Sequence, residues 1–252
     1  MNEIIEWLKK YSNTSKVGKF IVGISGGVDS ALVSTLCAES GIPTILVSMP
    51  IHQQKNELSR AHNHIKWLEK KYSNVTKIEI NLSHVFDSFK MLFADNPNKL
   101  ALANSRARLR MTTLYQLAQT NGALVVGTGN KVEDFGVGFF TKYGDGGVDI
   151  SPIADLMKSE VREMAKELGV NEEILVASPT DGLWGDARTD EDQLGATYDE
   201  LEWAMLVTKE EFKNYSNWDN RQKEVWRIYN IHNDKNKHKM RPIPVFIKKD
   251  NI

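Results

Sequence analysis

Cysteine is almost absent: Cys37 stands alone in 252 residues. One thiol excludes an internal disulfide and any cysteine-rich metal site, and such usage fits a reducing compartment. Long apolar runs are missing too, since nothing approaches the roughly 18 residues of a membrane span. The N-terminal MNEIIEWLKKYSN has the polar flanks of an amphipathic helix and lacks the apolar core of a signal peptide, so cytoplasmic residence is the expectation. Nor is there an excess of either charge. Lys and Arg number 32 against 33 Asp and Glu, a net charge of -1, which offers no polybasic surface to nucleic acid or membrane. The length suffices for a self-supporting core without a metal or disulfide staple.

What is present is alternation. Three β-branched apolar runs each end at a small or polar cluster: KFIVGIS (19–25), TILVSMP (44–50) and ALVVGTG (123–129). TKIEINL (76–82) alternates as a strand at a sheet edge does, and helical spacing fills 29–39, 55–72 and 98–120. Strands alternating with helices of this length predict βαβ units and a parallel sheet covered on both faces, an α/β fold. Past residue 150 the pattern turns helical, over 155–169, 171–176, 197–205 and 218–236. With no repeat and no low-complexity tract, the expectation is one domain over 1–252: a sheet-bearing core over about 18–150 and a helical portion over about 151–252.

Ligands of such sheets sit beyond the carboxyl ends of the strands. Each strand here ends in residues able to do chemistry, SGGVDS, MPIHQQK and GTGNKVED. The stretch GISGGVDS, 23–30, runs from a strand into Gly-Gly and then into a helix with an acid in its first turn. Glycines let backbone approach a ligand, the first amides of a helix are unpaired, and its dipole favours negative charge, so the stretch predicts a phosphate site. Asp29 and Ser30 also suit simple helix capping, which the sequence leaves open. The Walker spacing and lysine are missing, as is the third glycine of the dinucleotide fingerprint.

Letter for letter, GISGGVDS resembles the SGGxDS pyrophosphate loop of the N-type ATP pyrophosphatases, which cleave ATP between its α and β phosphates. Further stretches narrow the resemblance: NSRARLRM (104–111), GTGNKVED (127–134), FFTKYGDGGVD (139–149), DLMKSE (155–160), SPTDGLW (178–184), TDEDQLGATYDE (189–200) and HKMRPIP (238–244). Together, from about residue 18 to about 244, the chain resembles the ammonia-dependent NAD synthetases. The resemblance implies an open, mostly parallel sheet with helices on both faces, an adenine nucleotide alpha hydrolase-like, Rossmann-like three-layer sandwich. It implies ATP- and ammonia-dependent conversion of nicotinic acid adenine dinucleotide (deamido-NAD) to NAD, a carbon–nitrogen ligation. It also implies an obligate homodimer with the dinucleotide bound across the subunit contact, where NSRARLRMTTLYQLAQT lies. The stripe of Leu109, Thr113 and Leu117 on that helix otherwise reads as core.

Two departures stand out. Five residues separate Glu133 from Phe139-Phe140, where a common form of the family has four. MPIHQQK replaces a PYG-type sequence, leaving Gln54 as the carry-over there.

A nicotinate carboxylate cannot expel oxide, so it must first acquire a leaving group. Attack on the α-phosphorus of ATP gives an acyl adenylate and pyrophosphate, and ammonia then displaces AMP. The charge develops on phosphate oxygens, which calls for positioning and electrostatic stabilisation. By the resemblance, Gly23, Ile24, Ser25, Gly26, Gly27, Val28, Asp29 and Ser30 wrap the ATP phosphates, with Thr128, Lys158 and Thr180 as further ATP contacts. Asp29 and Glu133 are the implied Mg2+ ligands, a number that suits an ion keeping phosphate oxygens and water around it. Arg110, Lys142, Asp145, Asp149, His238 and Lys239 are the implied contacts of the deamido dinucleotide, and Asp29, Glu133, Lys158 and Asp145 the implied catalytic set. Phe140 or Tyr143 could stack on the pyridine ring. Helical spacing puts Arg106 near the face of Arg110 and Arg108 away from it, and both are left outside the site.

With one cysteine there is no nucleophilic thiol for a glutaminase, so no glutaminase domain is expected and ammonia arrives free or from another polypeptide. The segment 180–195 reads as a long acidic loop, an expected lid over the adenylate with Trp184 as its reporter. Two other readings keep the pyrophosphate loop or the nucleotide alone. A GMP synthetase-like or tRNA-modifying ATP pyrophosphatase gives no reason for FFTKYGDGG and HK, or expects basic patches and cysteines. A non-catalytic ATP-binding module would not need Glu133 and the long recognition loop.

Overall fold

The computed structural model describes residues 1–95, 97–180 and 188–248. Four strands form one parallel sheet in the order β3-β2-β1-β4: β1 Phe20–Gly23, β2 Thr44–Ser48, β3 Val75–Glu79 and β4 Leu124–Val125. Every pairing is parallel, β1 meeting β2 from Phe20↔Thr44 to Gly23↔Val47 and β4 at Phe20↔Leu124. The alternating TKIEINL does take the sheet edge, as β3. β4 is shorter than its apolar run because the chain passes on to a single parallel bridge, Val126↔Ile150.

The helices are α1 Asn2–Ser15, α2 Val28–Glu39, α3 Lys55–Lys71, α4 Ser83–Met91, α5 Lys99–Asn121, α6 Lys158–Glu167, α7 Glu172–Leu175, α8 Asp190–Leu194, α9 Tyr198–Leu206, α10 Lys209–Phe212 and α11 Asn220–Met240. A π turn, Val132–Val137, follows β4. Three layers result from strand alternation. Phe20, Val22 and Leu46 face a core shared with α1, α2, α3 and α6, whereas Ile21, Ile45 and Val47 face α4 and α5. A third cluster joins the π turn to α8, α9 and α11 through Val132, Val137, Leu194, Leu201 and Val225.

Differences from the sequence reading have local causes. α4 escaped it because the helix is short and buries only Phe86 fully. The segment 180–195 is not one loop: Thr189 accepts from the Asp192 amide and Asp192 answers it, a capping box that starts α8. Residues 181–187, with Trp184, lie outside the described residues.

Candidate active site

The glycine turn sits at the tip of β1 and its geometry explains each residue type. Gly26 holds φ +90°, and a Cβ there would lie 2.5 Å from the Glu57 carbonyl oxygen on α3, so only glycine fits. Gly27 is extended and α2 begins at Val28 with no side-chain cap. Neither Asp29 nor Ser30 caps the helix: the Ser30 hydroxyl donates to the Gly27 carbonyl at 3.0 Å and lies 3.0 Å from Ser25 Oγ. The first amides of α2, with the positive end of its dipole, are what the turn offers an anion.

Asp29 turns instead toward the interior. The Lys158 Nζ, at the start of α6, donates to Asp29 Oδ2 at 2.6 Å and to Glu133 Oε1 at 2.9 Å, from a side chain 2 % exposed. Asn130 Nδ2 donates to Asp29 Oδ1 at 3.0 Å and its Oδ1 accepts the Glu133 amide. Tyr198, 1 % exposed, donates its hydroxyl to Glu133 Oε1 at 2.6 Å, and its ring lies 4.7 Å from the Lys158 ammonium. Burial alone would lower the affinity of Lys158 for its proton, but the two carboxylates hold it firmly charged. Burial raises the Asp29 carboxyl despite Lys158. At Glu133 burial pushes the same way, yet Lys158, Tyr198 and Asn130 prevail and its carboxyl stays below the usual range. The two carboxylates therefore converge on one ammonium at the foot of the glycine turn, and such a pair of oxygen donors fits an ion like magnesium that keeps phosphate oxygens and water.

The loop FFTKYGDGGVD closes the other side. Tyr143 takes a left-handed φ of 61° and Asp145 accepts the Thr141 amide at 3.0 Å, which ties the loop on itself. Asp149 accepts from the Val125 amide at 2.8 Å and from the Tyr115 hydroxyl at 2.9 Å, so it anchors the loop to β4 and α5. The Lys239 Nζ donates to the carbonyls of Gly138 and Phe140, and Lys142 Nζ reaches the His238 carbonyl at 3.3 Å. Lys142, His238 and Lys239 thus come together by stapling the end of α11 to the loop. Arg108, set aside on helical spacing, donates to the Lys142 carbonyl at 3.3 Å; the loop wraps over the face it points from.

A polar chain runs from Arg110 on α5 to Thr180 by way of α3. Arg110 donates to the Met49 carbonyl at 3.1 Å and to Gln53 Oε1 at 2.8 Å, Gln53 Nε2 to Glu57 Oε2 at 2.6 Å, and Thr180 Oγ1 to Glu57 Oε1 at 2.9 Å. Gln53, not Gln54, enters this chain; Gln54 precedes the first turn of α3. Thr128 is half-buried beside Gly127 at the end of β4. Tyr198, Asn130, Gln53 and Glu57 are polar residues that sequence reading did not single out, although all but Glu57 lie inside quoted motifs.

With the geometry in hand, comparison with known proteins is direct. The family described as NAD synthase matches residues 1–243. An NH(3)-dependent NAD(+) synthetase of Mesoplasma florum is 41% identical over 207 residues, covering 80% of this chain and 82% of that protein. One from Carboxydothermus hydrogenoformans is 38% identical over 211 residues, covering 81% of this chain and 84% of that protein. Among solved structures, an NMN synthetase from Francisella tularensis is 29% identical with a TM-score of 0.83, covering 99% of this chain and 97% of that one. An NH3-dependent NAD synthetase from Campylobacter jejuni is 25% identical with a TM-score of 0.78, covering 98% and 97%.

Proposed function

This chain belongs to the NAD synthase family, and on that premise we propose that it amidates the nicotinate carboxyl of deamido-NAD with ammonia at the expense of ATP, giving NAD, AMP and pyrophosphate. The observation that carries the reading is the convergence of Asp29 and Glu133 on one cation at the foot of the glycine turn. A carboxylate oxygen of the acceptor attacks the α-phosphorus and the bond from that phosphorus to the bridging oxygen of pyrophosphate breaks. Ammonia then attacks the acyl carbon, AMP departs with its electron pair, and the nitrogen loses a proton.

The residues divide the work by position. The turn Gly23 to Ser30 orients the outer phosphates on the amides of α2, with Thr128 and Thr180 beside it. Asp29 and Glu133 would hold Mg2+, which neutralises charge on the departing pyrophosphate. Lys158, between those carboxylates, would supply a further positive charge beside the phosphates. Arg110, Lys142, Asp145, Asp149, His238 and Lys239 would form the acceptor side, directly or by shaping the loop, the carboxylates suiting ribose hydroxyls or the attacking amine. The whole chain acts as one domain in this reading, with ammonia supplied from outside it.

The acceptor's dinucleotide character suits a homodimer. α5 is 23 residues long yet buries only Ala103, Ala107 and Ala118, and Met91, Leu92 and Leu100 near its start are exposed by 76%, 76% and 59%. Exposed apolar surface of that kind favours a second copy as its cover. Among the described residues no helix is long and apolar enough to cross a membrane, and a cytoplasmic site is the proposal consistent with one buried thiol. The likeness to the Francisella tularensis NMN synthetase favours a second reading, amidation of the nicotinate mononucleotide.

One assay tests both. The protein is incubated with ATP, Mg2+ and ammonium and either the dinucleotide or the mononucleotide acid, and NAD or NMN is followed with AMP and pyrophosphate. Equal amounts of NAD and AMP from the dinucleotide support the first reading. Faster turnover of the mononucleotide replaces it with the second, and ATP bound without AMP from either acid removes both.

A further inference from the structure

Of the five residues between Glu133 and Phe139-Phe140, four belong to the π turn Val132–Val137 and the fifth, Gly138, caps it; such a turn is the form a helix takes when it admits one extra residue without displacing its flanks. The turn ends on Gly138 at φ 65°, with the amides of Gly138 and Phe139 both donating to the Glu133 carbonyl. Its last carbonyls have no following turn to bond, and an orphan buried carbonyl is costly. α11 supplies the donors. Asn233 Nδ2 donates to the Gly136 carbonyl at 2.7 Å, Asn236 Nδ2 to the Val137 carbonyl at 2.8 Å, and Lys239 Nζ to the Gly138 carbonyl. Residues 233, 236 and 239 are three apart and so share one stripe of the helix, which meets carbonyls 136, 137 and 138 in order. The contact is closed as well as bonded: a Cβ on Gly138 would lie 2.4 Å from the Asn236 Cβ.

At one end of this π turn stands Glu133, on the cation; at the other begins Phe139–Asp149, the loop of the acceptor side. We infer that Asn233 and Asn236 are positioning residues for the acceptor acid, holding the π turn so that the loop keeps a fixed register against Glu133. Neither touches the reacting atoms. Both act through the backbone they bond, and the inference rests on the reading of that loop given under the proposed function. Substrate orientation tolerates little displacement, so loosening this register weakens capture of the acceptor while leaving the ATP turn, on β1 and α2, as it was.

The test uses the full chain with Asn233→Asp and Asn236→Asp together, which keep side-chain shape but set acceptors against carbonyls. The KM for the acceptor acid is expected to rise about tenfold, the loss of one or two hydrogen bonds, with the KM for ATP changed by less than about twofold. Hydrogen exchange should quicken at the amides of 138–147 and stay slow in β1 and β2. Should the double variant not fold, Asn236→Ala, which only removes a donor, carries the same measurements. An unchanged acceptor KM overturns the inference, and so does a parallel rise of both KM values with faster exchange throughout, the signature of a general structural role. The exchange comparison needs no turnover, so it still decides the matter if the wild-type chain makes no NAD, a result that would count against the proposed function alone.

Discussion

The ammonium of Lys158 stands 2.6 Å from Asp29 Oδ2 and 2.9 Å from Glu133 Oε1. Lys158, 2% exposed, is the counter-ion of Asp29 and Glu133, whose side chains are each 18% exposed. Lys158→Met should therefore cost about 3 to 5 kcal/mol in urea unfolding without divalent ions, the usual result of stranding buried charge. Mg2+ at millimolar concentration should recover part of that loss, because an ion bound only by the folded state stabilises it. The wild type, whose carboxylates are already paired, should gain less. Equal Mg2+ stabilisation of the two proteins would contradict this account.

Asp29→Asn separates charge from shape. Asparagine keeps the shape but can accept from only one of Lys158 and Asn130, its amide nitrogen facing the other donor, so the melting temperature should fall while the chain still folds. On the proposed reading a charge that would help hold Mg2+ is lost, and release of pyrophosphate from ATP and acceptor should fall about 10² to 10³-fold. Retention of more than about a tenth of wild-type pyrophosphate release would remove Asp29 from the metal site.

Much of this was legible in the sequence, and what was not has physical reasons. The apolar runs of β1 and β2 end within two residues of their observed bounds, because strands buried on both faces read as continuous apolar segments. Lys158 and Tyr198 were harder. A lysine in an amphipathic helix pattern ordinarily faces water, and Tyr198 directly follows Thr197, whose capping box with Glu200 already explains the motif as a helix start. The π turn gave only an irregular spacing, since Gly136 and Gly138 break helical periodicity where the turn closes. The bond from Arg108 to the Lys142 carbonyl was not legible because a helical wheel gives the direction of a side chain but not the loop that folds back over it.

Gly26 and Gly41 form a matched pair for the phosphate turn. Both hold a left-handed φ, +90° and +74°, but a Cβ on Gly26 would strike the Glu57 carbonyl at 2.5 Å whereas one on Gly41 meets nothing within 4 Å. Gly41→Ala should cost only backbone strain, about 1 to 2 kcal/mol, and keep ATP binding. Gly26→Ala should cost about 3 kcal/mol or more by urea unfolding and abolish ATP binding, since α3 must retreat from the turn. Comparable losses in the two variants would show that the close approach of α3 contributes nothing.

His64 supplies the pH dependence. It is fully buried on α3, its Nε2 2.9 Å from Ser34 Oγ on α2, and burial lowers its pKa to about 4. The Ser34 proton is directed at the Ser30 carbonyl, 2.7 Å away, so the ring nitrogen facing Ser34 carries hydrogen and a second proton would place a buried charge behind the phosphate turn. In the unfolded chain the ring titrates at its ordinary value of about 6.5. Below that pH the unfolded state binds a proton that the folded state refuses, so stability declines as pH falls from about 6.5 toward 4, by up to about 3 kcal/mol. Above 6.5 both states are neutral and this contribution is flat. Urea unfolding at pH 7.5 and pH 5 should show a larger drop for the wild type than for His64→Gln, by about 2 kcal/mol. Identical drops in the two proteins would mean that His64 already carries its charge in the folded state.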